Sequence, residues 1–132
     1  MKLHLSTATG VHMITGYGDG YVEVNARRYD ASLVILPDRV MADWSVPEFS
    51  ALTTRHLGAL AEHRPEIVLL GTGRRQRFPA PALLADLIMH NIGLEVMDSQ
   101  AACRTYNILA AEGRRVAAAL ILEPAGRQLK PG

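Results

Sequence analysis

The chain has 132 residues, of which 48% are hydrophobic and 20% are charged, and its formal net charge is +1. This length and composition fit one globular domain over residues 1–132 with a core of its own. The near-neutral charge argues against nucleic acid as a partner, and no apolar run approaches the roughly 18 residues that a membrane span needs.

The first third of the chain has the pattern of short β-strands separated by turns. Residues 1–10 are polar and expected to be flexible, although their two leucines alternate as in an edge strand. Gly18-Asp19-Gly20 and Asn25-Ala26 are predicted turns, because these residue types tolerate the positive φ of tight hairpins. The predicted strands are 13–17, 21–24, 27–29 and 33–36, the last ended by a proline. Together they predict an N-terminal β-meander.

A helix is predicted within residues 44–63, and it has two candidate starts. Ser45 and Glu48 have the spacing of a capping box, which would begin a long helix. Thr53 is the alternative cap and would begin a shorter one. The Thr53 start is favoured, because Gly58 and several serine and threonine residues would make the longer helix costly.

The second half of the chain alternates strands with helices and predicts a β-α-β-α-β arrangement. Residues 67–70 are four consecutive apolar residues, which suits a strand of the central sheet that is covered on both faces. The predicted helix after it begins at Pro79 or Pro81 and ends at Gly93, with an apolar stripe of Leu83, Leu84, Leu87 and Ile88. A strand at 94–97, a helix capped by Asp98 or Ser99 and ended by Gly113, and a strand at 116–122 complete the series. The sheet is predicted to be covered by helices, with parallel strands on either side of the first crossover. The direction of the last strand stays open, and the tail 125–132 is expected to be flexible.

Gly71, Thr72 and Gly73 form the first candidate site, because ligands of open α/β sheets bind beyond the carboxyl ends of the strands. Their backbone N–H groups could hold a small anion. The spacing matches neither a phosphate-binding loop nor a dinucleotide fingerprint. A strand-to-loop turn that requires small residues also explains the motif, and this structural interpretation is favoured.

Arg74, Arg75 and Arg77 follow that turn within four residues. Arginine offers a planar fork of donors, so converging guanidinium groups could bind an anion or an acidic protein partner. The alternative is a solvated loop whose charges point apart. The sequence alone does not show whether these side chains converge.

Asp98, Cys103 and Arg104 lie at the start of a predicted helix, where the helix dipole and a neighbouring arginine would lower the pKa of a thiol. A nucleophile also needs a base, and none of the five histidines is close in sequence, so a buried core cysteine is favoured. Capping explains Asp98 more simply than acid–base chemistry. No catalytic residue, metal site or cofactor is predicted. Because the chain has one cysteine and no apolar signal stretch, we expect a cytoplasmic protein.

Several segments of the chain resemble the Mth938-like family, a domain of unknown function that includes the mitochondrial assembly factor for respiratory complex I. They are Gly16-Tyr17-Gly18, 20–25, 36–44, 65–73 with its Gly71-Thr72-Gly73 end, and 98–120 with Ala102-Cys103-Arg104-Thr105-Tyr106-Asn107. The resemblance runs from about residue 16 to residue 124. It implies a compact α/β sandwich-like domain with a mixed central sheet, no established catalytic residues, and a role as a non-enzymatic assembly factor.

Two functions follow as hypotheses. The preferred one is a binding or assembly domain with a protein partner at the arginine loop 74–78 and its neighbouring surface. The other is a small-molecule or anion site, or an enzyme, around Gly71–Gly73 with Asp98 and Cys103 nearby. The sequence leaves the partner, the ligand and the oligomeric state open.

Overall fold

The computed structural model describes residues 10–124, in which eight strands and three α-helices form. The strands are β1 (Ile14–Gly18), β2 (Tyr21–Val24), β3 (Arg27–Tyr29), β4 (Leu33–Leu36), β5 (Arg39–Met41), β6 (Ile67–Gly71), β7 (Gly93–Met97) and β8 (Val116–Leu120). The helices are α1 (Thr54–Ala61), α2 (Ala85–Met89) and α3 (Ser99–Ala111). The flexible ends expected at 1–10 and 125–132, and the edge strand considered in the first of them, fall outside the described residues except for Gly10.

Strands β1, β2 and β3 form a small antiparallel sheet in that order. The turn between β2 and β3 is made by Asn25 and Ala26, whose φ angles are 48° and 70°. Two successive residues with positive φ match the right-handed twist of a two-residue hairpin. Gly20, with φ of 77°, lies in the preceding turn. Both predicted turns and all three strands are confirmed.

The larger sheet has five strands in the order β5-β4-β8-β6-β7. Strand β6 is parallel to β7 and β8, whereas β4 is antiparallel to β5 and β8. The mixed sheet and the interior position of β6 are therefore confirmed. The direction of the last strand, which the sequence left open, is parallel to β6.

Strand β4 belongs to this larger sheet rather than to the meander, so the predicted four-strand meander has three strands. The reason is burial: all four residues of β4 are buried, and such a strand needs cover on both faces. The sequence prediction also missed β5, whose residues are exposed or half-buried and have no clear alternating pattern.

The two faces of the larger sheet are covered by different layers. Helix α3 and the small sheet pack on one face, where Ile14, Tyr17, Leu69 and Tyr106 are part of the core. Helices α1 and α2 and the segment 44–52 pack on the other, around Trp44. Most of β8, at the middle of the sheet, is alanine, and all five of its residues are buried.

The predicted starts of the first and third helices are confirmed. Thr53 caps α1: its Oγ1 accepts from the N–H of His56, and its own N–H donates to His56 Nδ1 at 3.0 Å. Asp98 caps α3 by accepting from the N–H of Ala101 at 2.9 Å. Gly113, with φ of 80°, follows the end of α3.

The second helix departs from its prediction. Pro81–Leu84 form a 3-10 turn, and α2 itself has only five residues. A helix this short cannot bury the whole predicted stripe, so Leu87 is buried while the side chain of Ile88 is 68% exposed. The prediction that Gly93 ends the helix was wrong: Asn91, with φ of 57°, makes the left-handed turn, and Gly93 begins β7.

Candidate functional site

The loop that follows β6 passes directly beneath the first turn of α3. A Cβ atom on Gly71 would lie 2.9 Å from the Cα of Ser99, which is closer than real Cβ atoms come to backbone. Gly73 has a φ of 99°, a conformation that other residues rarely adopt. The two glycines are therefore explained by close approach and by backbone conformation.

The first three backbone donors of this loop are engaged. The N–H of Thr72 donates to the carbonyl oxygen of Met97, and that of Gly73 donates to Ser99 Oγ, both at 2.9 Å. The N–H of Arg74 donates to Glu123 Oε1, also at 2.9 Å. A carboxylate of the chain itself thus occupies the position that a small anion would take. An added anion would have to displace it, so the structural interpretation of the motif is favoured.

The hydroxyl of Thr72 fixes the shape of the loop. Thr72 Oγ1 donates to the carbonyl oxygen of Arg75 at 2.6 Å and accepts from the N–H of Arg77 at 3.0 Å. Gln76 Nε2 donates to the carbonyl oxygen of Val96 at 2.8 Å, which ties the loop to the outer edge of β7. The loop frame is held by hydrogen bonds at three of its positions.

The arginines of the loop do not point to one place. Arg74 binds Asp19 at 2.7 Å and donates to the carbonyl oxygen of Pro124 at 2.9 Å. The hydrogen bond with Asp19 raises the pKa of the Arg74 guanidinium above its ordinary value. Arg77 lies over the ring of Phe49, with 6.0 Å between its Cζ and the ring centroid. A joint clamp by Arg74 and Arg77 is not formed.

Arg75 and Phe78 differ from their neighbours because their side chains are free on the surface. Arg75 is exposed, and its guanidinium forms no hydrogen bond or ion pair within residues 10–124. The side chain of Phe78 is 72% exposed. The sequence hypothesis included Phe78 in the arginine loop 74–78 but did not single it out as a site residue, although an aromatic residue in an arginine-rich loop was a signal for it.

Asp98, Cys103 and Arg104 do not form a reactive centre. The Cys103 side chain is buried, and this burial raises the pKa of its thiol from 9.0 to about 12; Arg104 lowers it by a smaller amount. The expectation of a lowered pKa at this helix start was wrong, because Cys103 faces the core. Arg104 instead donates to the hydroxyl of Tyr17 at 3.0 Å, and Asp98 serves as the helix cap.

Residues 10–124 hold neither a metal-ligand cluster nor a membrane-spanning helix. No group of three or more histidine, cysteine, aspartate or glutamate side chains in that range has the arrangement of a metal site. The helices found there are all too short or too polar to cross a bilayer.

The chain matches the model of a protein family of unknown function, DUF498/DUF598, over residues 14–121. It is 35% identical to the NADH dehydrogenase (ubiquinone) 1 alpha subcomplex assembly factor 3 of Bos taurus, over 88% of this chain but only 64% of the bovine protein. A crystal structure of a Bordetella parapertussis protein has 43% identity and a TM-score of 0.82, covering 89% of this chain and 100% of that one. The solution structure of a Bordetella pertussis protein, described as an Mth938-like domain, has 36% identity and a TM-score of 0.78, covering 100% of both chains.

Proposed function

We propose that this chain, which belongs to the DUF498/DUF598 family of Mth938-like domains, is a non-enzymatic binding domain that assists the assembly of a protein complex. The observation that carries the proposal is the contrast within the loop after β6. Its backbone is fixed by internal hydrogen bonds, while Arg75 and Phe78 remain exposed on it. Because the loop is already rigid, it loses little conformational entropy when its aromatic and arginine side chains bind a partner.

The residue types on this loop suit a protein interface. Arginine and aromatic residues are enriched among the residues that dominate binding energy. The Arg77 side chain is half-buried and packs against the ring of Phe49, so it is not available to a partner in the way that Arg75 is. The expected partner surface is therefore an acidic patch with an apolar pocket that accepts Phe78.

The buried state of Cys103 supports a non-enzymatic role. A thiol whose pKa is raised to about 12 carries almost no thiolate near neutral pH, and the thiolate is the nucleophilic form. The strongest nucleophile candidate of the sequence is thus enclosed in the core.

The class of partner is proposed from the relatives. The bovine relative is named as an assembly factor for NADH dehydrogenase, and the chain spans about 64% of its length. We therefore propose that subunits of an NADH dehydrogenase are the partners of this chain. We also propose that the chain is located in the cytoplasm. Its one cysteine is free and buried, as expected for a protein of a reducing compartment.

Affinity capture of the tagged chain from the cells that encode it tests this function. NADH dehydrogenase subunits should be enriched by mass spectrometry, and the combined changes Arg75→Glu and Phe78→Ser should reduce that enrichment about tenfold, as for interface hot spots. Arg39→Glu, the same charge change at an exposed position on β5, is the control. Enrichment that the double variant leaves unchanged would contradict this surface. Absence of those subunits would contradict the partner class, and fractionation of the same cells tests the location.

A further inference from the structure

A second surface lies at the opposite end of the central strands from the arginine loop. A cavity of about 620 Å³ opens between α1 and α2. Pro65 and Ile92 line it, and they lie two residues before β6 and one residue before β7, respectively. The arginine loop instead follows the carboxyl end of β6. Because a five-residue strand is roughly 16 Å long, the two surfaces are separate.

The floor of this cavity is apolar and its walls carry hydrogen-bond acceptors. Ala61 and Pro65 are buried in the floor together with Ile92. Glu62 and Asp86 contribute carboxylates that form no hydrogen bond or ion pair within residues 10–124. Both acceptors are therefore free for a ligand.

His90 adds a polar ring to the wall. Its Nδ1 lies 2.8 Å from the carbonyl oxygen of Asp86. A carbonyl oxygen can only accept, so Nδ1 donates to it. Arg64 is the only cationic side chain that lines the cavity among the described residues. The two carboxylates outnumber this one arginine and leave a net negative charge.

The absence of a side chain on Gly58 contributes to the shape of the cavity. A Cβ atom there would lie 2.5 Å from Asp86 Oδ2, so the carboxylate rests directly against the helix backbone of α1. On α2 the side chains of Ile88 and Met89 are 68% and 76% exposed. Met89 adjoins His90, which lines the cavity. Ile88, in contrast, is two residues from Asp86 and lies on the opposite side of the helix. A protein segment that entered the cavity would therefore have Met89 as an apolar contact beside it.

We propose that this cavity receives a basic side chain from a segment of a partner protein, most fittingly an arginine. The aliphatic stem would lie on the apolar floor, and the guanidinium would donate to Asp86 and Glu62. Arginine suits the site because it combines an apolar stem with a planar group of five donors. An apolar neighbour of that arginine would pack on Met89. The surface is distinct from the arginine loop and stands whether or not that loop binds a partner.

Two matched peptides test the proposal on the folded chain by amide NMR shifts. Acetyl-Leu-Arg-Leu-amide carries the cation, and the citrulline analogue has nearly the same size without the charge. The arginine peptide should give saturable shifts at Gly58 and Ile92, and the citrulline peptide should bind about threefold to fivefold more weakly, as for loss of an exposed ion pair. Asp86→Asn with Glu62→Gln should weaken the arginine peptide by the same factor and leave the citrulline peptide unchanged.

The control is Glu112→Gln, which removes one exposed carboxylate beyond the end of α3. It should leave both peptides unaffected, and an unchanged spectrum elsewhere shows that each variant is folded. Equal binding of the two peptides, or shifts that never appear at Gly58 and Ile92 at millimolar peptide, would overturn the proposal. Loss of partner capture by the Arg75 and Phe78 variant with retained peptide binding would place the two functions on separate surfaces.

Discussion

The two faces of the larger sheet are held together in different ways. On the α3 face, buried polar side chains link elements that are distant in sequence. Asn107 binds both backbone groups of Ile14 at 2.9 and 2.8 Å, and Ser99 Oγ donates to the carbonyl oxygen of Ile121 at 2.7 Å. On the other face, α1 and α2 are short and pack through apolar side chains, and the side chain of Met89 is left largely exposed.

This difference distinguishes a face that mainly maintains the fold from a face that is available to bind a partner. A buried hydrogen bond fixes one register and is costly to break, so residues in such bonds have little freedom to serve a partner. The face built from α1 and α2 has fewer such constraints and keeps a cavity with free carboxylates.

The largest effect is expected for Asn107→Leu. The change leaves the N–H and the carbonyl oxygen of Ile14 buried without partners, at about 1–3 kcal/mol each. We expect the free energy of unfolding to fall by about 3 kcal/mol in urea denaturation. Gln100→Ala, at an exposed position of the same helix, should change it by less than about 0.5 kcal/mol. A loss below about 1 kcal/mol for Asn107→Leu would show that the α3 face does not depend on this link.

Replacing a glycine by alanine should change the stability of the protein in opposite directions on the two faces. Gly71→Ala forces a Cβ against the backbone of Ser99 and should cost about 1–3 kcal/mol. Gly58→Ala meets only the end of the Asp86 side chain, which can move, and it gains up to about 1 kcal/mol of helix propensity. Thermal unfolding of both variants measures the pair. Destabilisation of similar size in both would remove the contrast between the faces.

Most elements could be predicted because they depend on local pattern. The run 67–70 indicated a doubly covered strand, and Thr53 and Asp98 indicated helix starts. What failed was decided by tertiary contacts. The sequence pattern of residues 33–36 is compatible with pairing to β3 and with pairing to β8. Only their complete burial assigns them to the larger sheet.

The candidate site shows the same limit. The sequence located the loop after β6 and preferred a structural role for its glycines, and the close approach of Ser99 agrees with that preference. The sequence could not show that Glu123 accepts a hydrogen bond from the N–H of Arg74, because the two residues are about fifty positions apart along the chain. Nor could it place Cys103 on the inner side of its helix, and this placement reverses the expected shift of its pKa.

Cys103 predicts how the α3 face responds to high pH. Burial raises the pKa of its thiol from 9.0 to about 12, so between these values the unfolded chain gives up the proton while the folded chain keeps it. The unfolded state is then favoured as pH rises, and this contribution to stability is intact below about pH 9 and lost progressively above it, by up to about 1.4 kcal/mol per pH unit. Cys103→Ala should lack that slope, so its stability relative to the parent should improve from pH 7 to pH 10. Parallel pH curves for the two proteins would contradict the burial of the thiol.

The smallest effect concerns the two neighbouring arginines at the edge of the α3 face. Arg74 joins the larger sheet to Asp19 in the β1–β2 turn and to the carbonyl oxygen of Pro124. These contacts are partly exposed and screened by solvent, so Arg74→Ala should lower stability by about 0.5–1 kcal/mol. Arg75→Ala removes an equal charge at the next residue, whose side chain has no such contacts. This change should alter the free energy of unfolding by less than about 0.3 kcal/mol. Urea denaturation at low and high salt measures both, and the Arg74 effect should shrink at high salt because screening weakens exposed ion pairs. If the two variants lose equal stability, Arg74 does not connect the two sheets, and its contacts with Asp19 and Pro124 contribute nothing to the fold.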